Sequence, residues 1–246
     1  MPKLNDPSME EYQNIGTFGF SAVKIDELGS SEYTLVNILV DASGSVAGFA
    51  IEMEAALKET IRACQLSPMA DSLMIRIAKF NDSFEEVHGF KLLEKINLDD
   101  YNGVMQCGGS TLLFDSVINA MEATTKYAES LFKSDFKCNG LTVVITDGDD
   151  NRSKFGKDAV AKSLQTAVTS EALVSLMSIL VGVNVTSSFV AKYLSDFQKD
   201  AGFTQYVELK DASAKTLAKL AAFISKSISS VSTSLQTGGP SKSLTF

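Results

Sequence analysis

The apolar run Tyr33-Thr-Leu-Val-Asn-Ile-Leu-Val40 ends in Asp41-Ala42-Ser43-Gly44-Ser45, and this junction constrains the fold more than any other stretch. The run is short and rich in branched residues, as a strand buried on both faces requires. Gly48–Gln65 follows at once. Its apolar residues Phe49, Met53, Ala56, Leu57, Ile61 and Cys64 recur at steps of three and four, the period of an amphipathic helix, and Ser67-Pro68 ends it. A strand passing directly into a helix is the building unit of a parallel sheet.

The alternation continues along the chain. Ser72–Asn81 reads as a strand, with Leu73, Ile75 and Ile77 alternating against Ser72, Met74 and Arg76, and Phe84–Phe90 as a short edge strand. Thr111–Phe132 has a helical stripe of Leu113, Val117, Ala120, Met121 and Ala128. Leu141–Thr146 is the β-branched run of a central parallel strand. Helices near 156–171, 187–200 and 213–232 then alternate with strands near 173–182 and 203–209. This predicts an α/β fold: a doubly wound, mostly parallel, six-stranded sheet with helices on both faces. In the strand order 3-2-1-4-5-6 the strands ending at Asp41 and Asp147 are neighbours, flanking the crevice where ligands bind in such sheets.

The residues at those strand ends suit a hard cation. Asp41, Ser43 and Ser45 put three small oxygen donors on one turn, without nitrogen or sulfur. Gly108-Gly-Ser-Thr111 and Val143-Val-Ile-Thr-Asp147-Gly148 are the other two segments of the pattern. Together the three resemble the von Willebrand factor A family, with the integrin I-domain fold and its metal-ion-dependent adhesion site. That site is written Asp-x-Ser-x-Ser, then a distant Thr, then a more distant Asp. The resemblance covers roughly residues 33–232 and implies Asp41, Ser43, Ser45, Thr111 and Asp147 as ligands of Mg²⁺ or Mn²⁺. It also implies that a protein partner's acidic side chain completes the metal's shell. Among family members, the compact intracellular microbial proteins are most similar: partner-recognition subunits beside ATPases, chaperone-like machines, or stress and tellurite-resistance systems, with the tellurite-resistance type among the candidates, which suggests an adaptor in an intracellular stress or ATPase-linked system.

Enzymatic readings fit less well. A haloacid-dehalogenase-like phosphotransferase, with Asp41 as nucleophile and Mg²⁺ as cofactor, is the alternative. It needs a second acid where Ser43 stands, and a hydroxyl cannot serve as general acid at neutral pH. Gly44-Ser-Val-Ala-Gly48 lacks the central Ser of a nucleophile elbow, and no Walker-type phosphate loop is present. Neither catalytic residues nor an enzyme are therefore expected. Asp149 and Asp150 read as a solvated acidic turn, Cys107 as a buried packing residue, and His88, the sole histidine, as an edge-strand residue.

The net charge of −8 disfavours a nucleic-acid-binding face. The longest apolar candidate, Ala172–Val183, is interrupted by Ser175 and Ser178 and is too short to span a bilayer. Met1–Tyr12 lacks the basic and apolar regions of a signal peptide, and Cys64, Cys107 and Cys138 do not form a disulfide framework. A cytoplasmic setting follows as the expectation. Residues 1–17 read as a polar arm, 18–232 as the folded domain, with an extra edge strand in Phe18–Ile25, and 233–246 as a Ser/Gly-rich tail.

Overall fold

The computed structural model describes residues 6–14, 18–239 and 241–246. Residues 1–5 and 15–17 of the expected arm, and Pro240 of the expected tail, lie outside the described residues. In chain order the elements are β1 (Met9–Tyr12), β2 (Phe20–Val23), β3 (Glu32–Asp41), α1 (Ala50–Gln65), β4 (Leu73–Phe80), β5 (Phe84–Leu92), α2 (Leu113–Phe132), β6 (Lys137–Thr146), α3 (Lys157–Val168), β7 (Ser175–Gly182), α4 (Ser188–Ala201), β8 (Gln205–Glu208) and α5 (Ala214–Thr237). They form one sheet of order β1-β2-β5-β4-β3-β6-β7-β8.

The stretch β5-β4-β3-β6-β7-β8 has the expected doubly wound order, and β3 runs parallel between β4 and β6. The expectation of a six-stranded sheet is corrected: among the described residues the sheet has eight strands and is mixed. β5 pairs antiparallel with β4. Only Asn81–Ser83 separates these strands, and a parallel return needs a crossover of a dozen or more residues. Asn81 closes this tight turn, accepting from the backbone N–H of Ser83 through Oδ1.

The two added strands lie beyond β5. β2 meets β5 at Ala22 and Phe90, and Gly89 makes this possible: a Cβ there would come within 1.9 Å of the Ser21 carbonyl oxygen. β1 pairs antiparallel with β2. Met9, within the expected polar arm, is buried, and Tyr12 stacks on Phe20 at 4.9 Å.

The alternation along β3 divides the interior. Val36, Ile38 and Val40 face α1 and α5, whereas Leu39 faces α2, α3 and α4. Arg76, from the alternate face of β4, is fully buried rather than solvated. Its Nε donates to Glu86 Oε2 at 2.7 Å and its Nη2 to Asn119 Oδ1 at 2.9 Å, so the charge is paired inside the core. Glu86 Oε1 accepts from the backbone and hydroxyl of Ser21, which ties β2 into the same network.

α5 runs to Thr237, past the expected boundary at 232, and Gly238 ends it in the left-handed conformation, φ 67°. Its Ser residues let it lie close on the sheet. Ser232 Oγ donates to Thr34 Oγ1 at 2.9 Å, and Asn139 Nδ2 donates to the Val231 carbonyl. The last residues also dock: Gln205 Nε2 donates to the Leu244 carbonyl at 2.8 Å, and Phe246 packs edge-on against Phe223.

Candidate metal centre

Asp41 is the last residue of β3 and is buried. The register pairs Val40 with Ile145, so Asp41 stands beside Thr146 at the end of β6. Thr146 Oγ1 donates to Asp41 Oδ2 at 2.6 Å, and the Ser43 backbone N–H donates to Asp41 Oδ1 at 2.8 Å. Both carboxylate oxygens are thereby oriented, while each keeps lone-pair capacity for a cation.

The hydroxyls follow in a chain. Ser43 Oγ and Ser45 Oγ are 3.1 Å apart, and Ser45 Oγ donates to Asp147 Oδ1 at 2.9 Å. Asp41, Ser43, Ser45 and Asp147 are thus linked through hydrogen bonds, although Asp147 is far from the others in sequence. The Gly108–Thr111 loop is stitched to the same turn by its backbone. Gly108 N–H donates to the Ala42 carbonyl at 2.9 Å, and Gly44 N–H to the Gly109 carbonyl at 3.1 Å. Gly109 has φ +75°, and a Cβ there would lie 2.2 Å from Asp82 Oδ2, so the close approach requires glycine. Thr111 is buried, and among the described residues no hydrogen bond joins its hydroxyl to the other four.

Residues beyond the expected set hold this arrangement. Asn151 Oδ1 accepts from the Thr111 N–H at 2.8 Å, and the Asn151 N–H donates back to the Thr111 carbonyl at 3.2 Å. Asp82 Oδ1 accepts from the Ser110 N–H at 2.7 Å. Asp150 is more than a solvated acid: its Oδ2 accepts from the Phe114 N–H at 3.0 Å, where a carboxylate suits the first turn of α2. Asp115 in turn accepts from the N–H groups of Lys154 and Phe155. The sequence signals for these roles were slight: a polar Thr closing an apolar strand, and Asp and Asn in the turn after it.

Burial lifts the Asp41 carboxyl to about 6. The hydrogen bonds from Thr146 and Ser43 oppose that rise, and the neighbouring charge of Asp147 adds to it. Asp147 is raised as well, again chiefly by burial, with the Ser45 hydrogen bond opposing. A divalent cation between two such carboxylates favours their ionised forms. The donor set fits a hard cation, being all oxygen with two formal negative charges. Among the described residues no group of three or more His, Cys, Asp or Glu side chains comes together, and here the hydroxyls supply the remaining donors. Cys107 is only partly buried; its thiol donates to the Met105 carbonyl at 3.6 Å, and burial raises it above its ordinary pKa, followed by the field of Asp41. His88 Nδ1 bonds the Gly89 carbonyl and its Nε2 the Tyr101 hydroxyl, neither of them among the five expected ligands.

The architecture is shared with solved proteins. The D319A mutant of the PilB minor pilin from Streptococcus sanguinis superposes with a TM-score of 0.61 at 13% identity, over 89% of this chain and 66% of that one. The pilus adhesin SpaC from Lactobacillus rhamnosus GG, in its open conformation, gives a TM-score of 0.61 at 12% identity over 94% of this chain and 35% of that one. Proximal thread matrix protein 1 from the mussel byssus, solved with a zinc-occupied MIDAS motif, gives 0.52 at 16% identity, over 80% and 46%. At these identities the likeness is one of fold. The chain spans about two thirds of that pilin and about a third of that adhesin. No family model matches the sequence, and no curated protein does. Among the described residues no helix is long and apolar enough to cross a membrane.

Proposed function

We propose that this chain is a metal-ion-dependent protein-interaction module. Asp41, Ser43, Ser45, Thr111 and Asp147 would hold one Mg²⁺ or Mn²⁺, and a carboxylate of a protein partner would complete its shell. The observation that carries this reading is the hydrogen-bonded chain Ser43–Ser45–Asp147, which gathers oxygen donors from two separate strand ends. A Mg²⁺ ion takes about six oxygens and keeps some as water. With two carboxylates balancing its charge and neutral hydroxyls as the other protein donors, it remains attractive to an incoming anion.

The residues themselves orient and exclude. Thr146 and the Ser43 N–H fix Asp41, and Asn151 fixes the backbone of Thr111. Ser45 is exposed and Asp147 is half-buried, so the site opens to solvent on that side. Ser43 stands where a phosphotransferase of this topology needs its second acid, and we propose no enzymatic activity. We also propose an intracellular adaptor role, of the kind the microbial resemblance implies. Cys64, Cys107 and Cys138 are all unpaired, which supports a reducing compartment.

Mn²⁺ titrated into isotope-labelled protein tests the reading. Paramagnetic broadening should centre on the amides of Ser43, Ser45, Thr111 and Asp147, and a soluble carboxylate such as acetate should change the relaxation of the bound ion. Broadening centred elsewhere refutes the site. Mg²⁺-dependent hydrolysis of a generic aryl phosphate, abolished by Asp41→Asn, would refute the non-enzymatic reading.

A further inference from the structure

On the sheet face that carries α1 and α5, α5 lies chiefly over β3 and β6, whereas the helices packed chiefly on β7 and β8 are α3 and α4, from the opposite face. This leaves a groove beside α5. Its floor is the α5-facing side of β7 and β8, where Ile179, Val181 and Val207 join the same apolar cluster as α5. Residues 241–246 lie in it, returning along α5 from its last turns towards its middle. Ser241 Oγ is 2.7 Å from Ser175 Oγ and 2.9 Å from Ser234 Oγ. Gln205 Nε2 donates to the Leu244 carbonyl at 2.8 Å, Leu244 packs on the apolar cluster, and Phe246 meets Phe223 edge-on at 5.6 Å. Lys242, Ser243 and Thr245 are exposed. The hold is thin. Among the described residues 241–246 make no backbone–backbone hydrogen bond, and Phe246 is 46% exposed. The segment also engages only half of the Gln205 amide: Oε1 is buried and has no hydrogen-bond partner among the described residues. A buried acceptor left unpaired disfavours the state that buries it.

We infer that this groove is a docking site for an extended segment of another protein, with a hydroxyl residue followed three and five positions on by apolar residues, and that residues 241–246 are the competitor such a segment displaces. The pattern is the one the groove already accepts: Ser241, Leu244 and Phe246 make its contacts, and the residues between them face solvent. Extended segments take affinity from main-chain hydrogen bonds and selectivity from pockets for alternate side chains. A segment whose carbonyl takes Gln205 Nε2 while a neighbouring N–H reaches Oε1 uses both ends of the amide and gains the contact the tail lacks. The tail can leave without disturbing α5, because Gly238, at φ 67°, ends the helix before it. A tethered segment competes at an effective concentration of about millimolar, so it excludes weak ligands and yields to one that makes a further good contact. A second copy's tail is identical and gains nothing over the tethered one. The groove is separate from the candidate metal centre. Ser175 opens β7 and pairs in register with Asn139, near the start of β6, whereas Asp147 follows the end of β6.

The test uses a fluorescent, amidated peptide with the sequence of residues 241–246, titrated into the full chain and into the full chain carrying Leu244→Asp and Phe246→Asp, which expel its own tail. The expected result is saturable binding to the variant and binding at least about tenfold weaker to wild type, where the tethered tail competes. Phe246→Asp alone, at a half-exposed ring, is the second variant, and an unchanged melting temperature shows that both are folded. Gln205→Glu keeps the shape but replaces the donor to the Leu244 carbonyl, and added to the variant it should weaken the peptide about tenfold. An array of random peptides probed with wild type should then select a hydroxyl residue with apolar residues three and five positions on, and the selected peptides should displace the probe. No binding to the tail-expelled variants overturns the proposal. So does equal affinity in wild type and variant, binding indifferent to Gln205→Glu, or an array that selects no such pattern. A dimer of wild type that Leu244→Asp dissolves also overturns it, because the occupant is then a second copy.

Discussion

Ser45 and Asp147 are 102 residues apart in the chain, and their side chains share a hydrogen bond of 2.9 Å. The contact exists because β3 and β6 run parallel as neighbours, so that their ends open on the same edge of the sheet. The winding of the sheet reverses at this pair of strands, as in other doubly wound folds that bind ligands there. The candidate site is a consequence of strand order, and its chemistry can be probed residue by residue.

Thr146 orients Asp41 without belonging to the expected ligand set. Thr146→Val keeps the shape and removes the hydroxyl that donates to Asp41 Oδ2. Partners behind metal ligands typically contribute about 10- to 100-fold in affinity, so Mg²⁺ binding should weaken by about tenfold. Thr146→Ser, which restores a hydroxyl, should recover most of it. Calorimetric titration of both variants checks this, and equal affinity in Thr146→Val and wild type would remove Thr146 from the site.

The order of the strands and the position of Asp41 beside Asp147 were legible in the sequence. Apolar runs such as Tyr33–Val40 and Leu141–Thr146 have the length and composition of strands buried on both faces, and their alternation with helical segments points to a parallel sheet. The antiparallel β5 was less legible, because its direction depends on the three-residue turn at Asn81–Ser83 rather than on its own side chains. β1 was hidden for another reason. Met9 and Tyr12 are two apolar residues among charges, and they become a strand only because β2 offers an edge and Phe20 a ring to stack on. The burial of Arg76 was not legible either, because Glu86 and Asn119 pair it in the core. Hydrogen bonds of that kind join residues far apart in sequence, and no local pattern announces them.

The Arg76–Glu86 pair yields a prediction about stability. Both side chains are buried, with relative exposures of 0% and 2%. Removing one partner strands a buried charge, which costs about 3–5 kcal/mol, whereas replacing both with apolar residues is often close to neutral. Glu86→Leu should lower the melting temperature by at least about 6 °C, at about 2–4 °C per kcal/mol for a domain of this size. Arg76→Met combined with Glu86→Leu should be the more stable of the two. Thermal melts followed by circular dichroism decide the order, and a double variant less stable than Glu86→Leu contradicts the argument.

His88 supplies a pH dependence. Nδ1 faces the Gly89 carbonyl and must donate, so in the neutral ring Nε2 accepts from the Tyr101 hydroxyl at 2.6 Å. Burial holds the His88 pKa below its ordinary value, although the Gly89 carbonyl opposes this. The folded state therefore binds this proton less readily than the unfolded chain. The contribution to stability is present above the unfolded pKa, about 6.5, and is lost as pH falls through that value towards the lower folded one. Asp41, raised when folded, acts with the opposite sign, so the comparison must be between variants. The advantage of wild type over His88→Gln in melting temperature should shrink between pH 7.5 and 5.5. A gap that stays constant across that range refutes the assignment.

The most direct test of the central claim is calorimetric titration of Mg²⁺ into wild type and into Asp41→Ala at pH 7.5, above the raised Asp41 pKa of about 6. Asp41 is oriented by two hydrogen bonds and stands beside Asp147, so its removal takes away one of the two charges that would hold the ion. The predicted result is one Mg²⁺ per wild-type chain and at least tenfold weaker binding by Asp41→Ala, with the far-ultraviolet spectrum unchanged. Equal Mg²⁺ affinity in the two proteins would contradict the account.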